Sequence, residues 1–386
     1  MNAISLQLRP LFKDTAQNRY RMVGLAMLIV AGGLLFARIL ASLFSMALSS
    51  ELDPVTHSTW VSVFFTLIAQ IGICFAAVFL TFKLGLKQKN KRVLEFSNVK
   101  KTRWFNLALM IPLGILGIFV TIGVSSVWSI LLYALGYNSR GGGAGLPAEF
   151  SIGIFILQLF LIAVLPAVCE EFAMRGGLFS VFKDSFKGPK FYVFMGLAFG
   201  LFHQNITQFL YTALFGVALA FVVVKTKSIW PAIILHFINN AISVYLSHAA
   251  YYNWAFMGNF FSFLADGLRY DFAMVLLVYG AICAAFGGIL VLLHYLNSTK
   301  RLEKKKQVIL DSGFDHTNNR VVLVGEFDES KVKELGLEKE VLGVDSIKES
   351  SEPKYKPTLA DNAFYIGAIV TTGLFTLFSF IWGVIV

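Results

Sequence analysis

The chain is interrupted again and again by apolar runs about as long as a bilayer's hydrocarbon core is thick. A helix needs ~20 predominantly apolar residues to cross that core. By this measure spans fall near 22–48, 58–82, 104–135, 151–175, 191–205, 207–225, 229–249, 271–296 and 363–386. The expected fold is therefore all-α: a polytopic membrane helical bundle of about eight to nine transmembrane helices. Within 191–225 the expectation is two shorter helices with a tight turn around Gln204 and Asn205. The first run is too long for a cleavable signal segment and reads as a spanning helix.

Charge fixes the organisation around these runs. Hydrophobic residues make up 56% of the chain and the net charge is +10, but the charges are clustered. Arg9, Lys13, Arg19 and Arg21 precede the first span, and Lys83, Lys87, Lys89, Lys91, Arg92, Lys100, Lys101 and Arg103 separate the second from the third. Lys183, Lys187 and Lys190 follow the fourth, Lys225 and Lys227 the sixth, and Lys300 to Lys306 the eighth. The alternate loops hold only Arg140 and Arg269. Lys and Arg collect in cytoplasmic loops, so the N-terminus is expected in the cytoplasm. The basic balance then points to membrane lipid as a partner and not to nucleic acid.

This gives a cytoplasmic tail at 1–21, N-terminal transmembrane helices over 22–137, a core over 151–250, and a further helix at 271–296. Residues 297–362 are the one long polar stretch, rich in Lys, Glu, Asp and Ser. They read as a flexible cytoplasmic linker before a last helix at 363–386, because such sequence buries too little apolar surface to offset ordering entropy. A short strand around 320–324 and a short helix around 330–335 are the only elements expected inside it. Gly141 to Gly143 read as a flexible loop, since no strand precedes them and no Lys-Ser/Thr follows. Cys74, Cys169 and Cys283 have neither metal-ligand nor redox spacing.

Three polar constellations interrupt the apolar core. Glu170 and Glu171 are followed by Arg175; Phe199 and His203 are four apart; His236 and Asn240 are four apart. Ionisable groups are expensive in hydrocarbon and are functional by default. Glu171 and Arg175 stand in the favoured order for a helical ion pair, while Glu170 points about 100° away. Pro166 removes a backbone hydrogen bond and is expected to kink the helix. Gly196 and Gly200 form a small-xxx-small pair that lets a neighbouring helix approach. Pro231 suits the start of the helix that carries His236. Counted from Phe191, His203 lies ~18 Å deep, further in than Glu170 at the end of a helix closing at 175.

The ordered triple Glu170-Glu171-x-x-x-Arg175, Phe199-x-x-x-His203 and His236-x-x-x-Asn240 resembles the pattern of the CPBP family. These are CAAX-processing and bacteriocin-processing intramembrane proteases, also called type II CAAX prenyl endopeptidases or the Abi family. The resemblance covers about residues 150–250 and says nothing of 297–362 or the final helix. It implies peptide-bond hydrolysis at the membrane, with Glu170, His203, His236 and Asn240 as the catalytic set. Glu170 and His203 would activate a water; His236 and Asn240 would donate hydrogen bonds to the oxyanion. Glu171 and Arg175 would lock the Glu170 helix, and Phe199 would pack beneath His203. No metal is favoured; the alternative is Zn²⁺ held by Glu170, His203 and His236. The implied substrate is a peptide or membrane protein, lipidated in the CAAX case, or a pheromone or bacteriocin precursor, met at a cytoplasm-facing site in the cell membrane. The competing readings are a non-catalytic immunity or scaffold protein of the same fold, and a proton-coupled transporter.

Overall fold

The structure, a computed structural model, describes residues 16–48, 52–87, 89, 93–94, 97–138, 146–183, 188–256, 272–298 and 357–385. The expected loop at 141–143, strand at 320–324 and helix at 330–335 lie outside these residues. Among the described residues the elements are α1 (Ala16–Leu48), α2 (Pro54–Gly85), α3 (Trp104–Ala134), α4 (Ile152–Phe182), α5 (Pro189–Phe202), α6 (Ile206–Thr226), α7 (Trp230–Tyr251), α8 (Phe272–Leu296) and α9 (Leu359–Ile385). All but α5 are long and apolar enough to cross a membrane. The protein is an all-helical, multi-pass membrane protein. Large apolar side chains such as Val127, Ile130, Leu277 and Leu374 stand exposed, as lipid-facing positions do.

The chain divides into two compact units, 1–290 with 355–386, and 291–354. The candidate site lies within the first. Of the second, the described part is the last turns of α8, where the Asn297 amide donates back to the Leu293 carbonyl at 2.9 Å.

Several helices outrun the apolar windows, for reasons visible in their caps. Asp53 accepts from the Val55 and Thr56 amides at 3.1 Å, with Pro54 in the first turn, so α2 starts at 54 instead of 58. Gly188, at φ 60°, and Pro189 start α5 two residues early. Hydropathy detects the part of a helix that matches hydrocarbon; capping decides where the helix ends. The α4 helix runs to Phe182, seven residues beyond the window that closed at 175.

Wide i→i+5 turns occupy Leu67–Phe75 in α2, and Leu159–Val164 and Phe172–Leu178 in α4. Such turns recur at functional sites. Pro166 stands in the first turn after the 159–164 stretch, so the expected kink is spread over a widened segment.

The α5–α6 hairpin packs closest. A Cβ at Gly196 would lie 2.5 Å from the Ala213 carbonyl oxygen, and one at Gly200 2.7 Å from that of Phe209. The small-residue pair therefore serves α6, the next helix in the chain. Gly196→Ala is expected to lower the midpoint of thermal unfolding in detergent, since overpacking against a backbone typically costs ~1–3 kcal/mol; an unchanged midpoint would show that the hairpin relaxes freely.

The polar stretch also ends earlier than its composition suggests. Thr358 to Asn362 form the start of α9, and the Asp361 carboxylate is fully buried there. It accepts from Arg21, from Gln17 at 3.2 Å, and from the Thr358 amide and hydroxyl at 2.8 and 2.7 Å. Tyr365 donates its hydroxyl to the Tyr20 carbonyl at 2.7 Å. These contacts fasten α9 along α1.

Candidate active site

Glu170 and Glu171 lie in the middle of α4, both buried. The helix turns ~100° between them, so adjacent carboxyls enter different surroundings.

Glu171 Oε1 accepts from Arg175 Nη1 at 2.9 Å and lies 3.0 Å from His236 Nδ1. A carboxylate accepts, so Nδ1 of His236 carries the proton. The fully buried Arg175 also donates from Nη2 to the Gly216 carbonyl at 3.0 Å and stands 4.5 Å from the centroid of the Phe199 ring. Phe199 meets His203 edge-to-face at 4.9 Å and His236 at 5.8 Å. It packs under His203, and it is also the common wall between Arg175 and both histidines. The cation thus lies over an aromatic face with both terminal nitrogens hydrogen-bonded, a favourable arrangement.

Glu170 belongs to the second environment. Its Oε1 accepts from Gln70 Nε2 at 2.8 Å. Its Oε2 has no hydrogen-bond partner among the described residues and lies 4.0 Å from His203 Nε2. His203 Nδ1 is 2.9 Å from the Phe199 carbonyl, which can only accept, so Nδ1 holds a proton, and in the neutral ring the Nε2 lone pair then faces Glu170. Two acceptors thus face each other at a separation too long for a direct hydrogen bond.

Asn240 donates from Nδ2 to the Ile162 carbonyl at 3.0 Å. Ile162 is the residue four before Pro166, whose nitrogen has no hydrogen to give. Asn240 thereby ties α7 to the widened segment of α4. Its Oδ1 accepts from Asn239 at 3.3 Å. The second amide hydrogen of Asn240 is not used by these bonds.

The depths of these groups become consistent once the helix ends are known. The Asn98 amide donates to the Arg175 carbonyl at 2.9 Å, and the Ser228 hydroxyl to the Lys100 carbonyl at 2.6 Å. The basic 97–103 segment therefore meets α4 at Arg175 and α7 just before its start. From those contacts Glu170 is ~8 Å and His236 ~12 Å along the helix axes. The ends of α4 and α5 continue past that level together, with Phe179 against Phe191 at 5.1 Å and Phe182 against Phe194 at 4.7 Å. That overhang explains the extra depth counted for His203.

Two residues of this site were not among those the sequence singled out for it. Gln70 is a single amide in an apolar run, the one available signal for it. Arg38, a charge inside the apolar run of α1, donates to the His203 carbonyl at 2.8 Å and belongs to no motif that would attach it there. Cys169, next to Glu170 in sequence, is a buried free thiol.

The residues do not form a metal set. Among the described residues no three His, Cys, Asp or Glu side chains come together as ligands. His236 presents Nδ1 to Glu171, and one oxygen of Glu170 is held by Gln70. No step is derived through a metal.

The site thus sets a carboxylate beside an imidazole at two places inside a helical membrane bundle. Residues 152–242 match the family model described as type II CAAX prenyl endopeptidase Rce1-like. Over those residues, about a quarter of the chain, the sequence is similar to the type II CAAX prenyl endopeptidases. No curated protein and no solved structure matches it.

Proposed function

We propose that this protein hydrolyses a peptide bond in a membrane-associated protein or peptide, using water activated by Glu170 and His203. The supporting observation is the 4.0 Å gap between Glu170 Oε2 and His203 Nε2. A water at ~2.8 Å from each would donate one O–H to each base, with an angle of roughly 90° between them. Both bases would then strip the same nucleophile.

As the water oxygen attacks the scissile carbonyl carbon, its proton moves to Glu170. The tetrahedral oxyanion is met by the free amide hydrogen of Asn240 and by Nε2–H of His236. The latter donates only as imidazolium, with Nδ1–H kept on Glu171. The proton on Glu170 passes to the departing nitrogen, the C–N bond breaks, the remaining hydroxyl proton passes to Nε2 of His203, and an amine and a carboxylate leave. Glu171 and Arg175 hold His236 and Phe199 in place throughout.

The clustering of Lys and Arg in alternate loops supports a cytoplasmic N-terminus and a site that faces the cytoplasm from the cell membrane. The substrate is a lipidated CAAX-type tail or an unmodified pheromone or bacteriocin-like peptide. Purified full-length protein in proteoliposomes, given a farnesylated CAAX peptide, the same peptide without lipid, and a hydrophobic bacteriocin-precursor peptide, separates these by mass spectrometry of the products. Cleavage of at least one is expected, unaffected by chelators. Asn240→Ala should slow it ~10²–10³-fold, the usual effect of removing one oxyanion donor. Intact peptides in every arm would favour the non-catalytic scaffold or immunity reading. Stoichiometric zinc lost together with activity would assign Glu170, His203 and His236 to a metal instead.

A further inference from the structure

We propose that Arg38 of α1 is a positioning residue for His203, holding the imidazole opposite Glu170 through the backbone of the α5–α6 turn. This rests on the Glu170–His203 reading above. Arg38 lies outside the segment that matches the protease family, in the middle of an apolar helix where an unused cation is costly. Its hydrogen bonds converge on two residues: Nη2 donates to the His203 carbonyl at 2.8 Å, and Nη1 to the Gln204 side-chain oxygen at 3.1 Å and carbonyl at 3.4 Å.

The turn needs an external brace. Gln204 adopts φ 50°, the left-handed region, which is unfavourable for a residue with a Cβ. Such a conformation persists where its surroundings over-determine it. Here Gln204 also donates from Nε2 to the Ala31 carbonyl at 2.7 Å, two helical turns from Arg38 on the same face of α1. On the other side of the turn, Ile206 donates its amide to Ser379 of α9 at 2.8 Å, and its carbonyl accepts from Trp128 at 2.7 Å. The bond from His203 to Phe199 fixes the ring against its own helix. Arg38 fixes that helix end against α1, and so sets the distance to Glu170. A planar fork spans two carbonyls; an ammonium cannot.

The alternative is that Arg38 merely satisfies carbonyls at a helix C-terminus. Steady-state kinetics on the full chain with a cleavable peptide, run for Arg38→Ala, Arg38→Lys and Arg38→Gln, separate the two. A misplacement of ~1 Å at a reacting group can cost ~10²-fold. The expected result is a kcat lowered by about that factor in Arg38→Ala with KM within twofold, and partial recovery in Arg38→Lys. In a His203→Ala background, Arg38→Ala should add no further loss, since both act through one group. Unchanged kcat in folded Arg38→Lys and Arg38→Gln, or a full extra loss on top of His203→Ala, would overturn the assignment. Full turnover by His203→Ala alone would instead sink the Glu170–His203 pair, whatever Arg38 does.

Discussion

Glu170→Gln is expected to leave a folded protein whose turnover falls ~10²–10⁴-fold, the range lost with a general base. The substitution keeps shape. The new amide oxygen still accepts from Gln70, and the new amide nitrogen puts a donor instead of an acceptor opposite the His203 lone pair. Stability should therefore change little or rise, while the base facing the water disappears. Turnover in proteoliposomes and the unfolding midpoint in detergent, measured on one preparation, give both readouts. Full activity with an unchanged midpoint would exclude Glu170 from water activation. Glu171→Gln carries a different signature, because Glu171 neutralises Arg175 and orients His236: it should lower the midpoint as well as the rate.

Arg175→Met is expected to have the largest effect on stability. Arg175 and Glu171 are both fully buried and 2.9 Å apart. Removing one partner of a buried pair leaves an uncompensated charge and costs ~3–5 kcal/mol. The Gly216 carbonyl also loses its donor, and Phe199 loses the cation on its face. The protein should accumulate poorly or unfold well below the parent in detergent. Replacing both partners, Arg175→Met with Glu171→Leu, should recover most of the stability, since apolar replacements of buried pairs are often neutral or better. Activity should stay low, because His236 then has no acceptor for Nδ1. A double variant that regained turnover along with stability would show that the pair serves the fold and not the site.

The residue pattern revealed much of this arrangement, but unevenly. Periodicity was enough to put Glu171 with Arg175 and to turn Glu170 elsewhere, because both follow from the pitch of one helix. It could not say which histidine each glutamate meets; that depends on how α4, α5 and α7 cross. His236 was expected to donate to the oxyanion; its 3.0 Å contact with the Glu171 carboxylate was not read from the sequence. Gln70 escaped because the wide turns of α2 shift its face away from any 3.6-residue count. Helix lengths were short by up to seven residues where α4 extends past the hydrocarbon window. The start of α9 was hidden for the opposite reason: Asp361 looks like linker by composition and is buried by its partners on α1.

The bond from the Ile206 amide to Ser379 has a consequence for biosynthesis. Ser379 is translated more than 170 residues after the turn it completes. Until that later helix has docked, the Ile206 amide lacks this acceptor, three residues from His203. Completion of the α5–α6 turn is thereby coupled to insertion of the last helix.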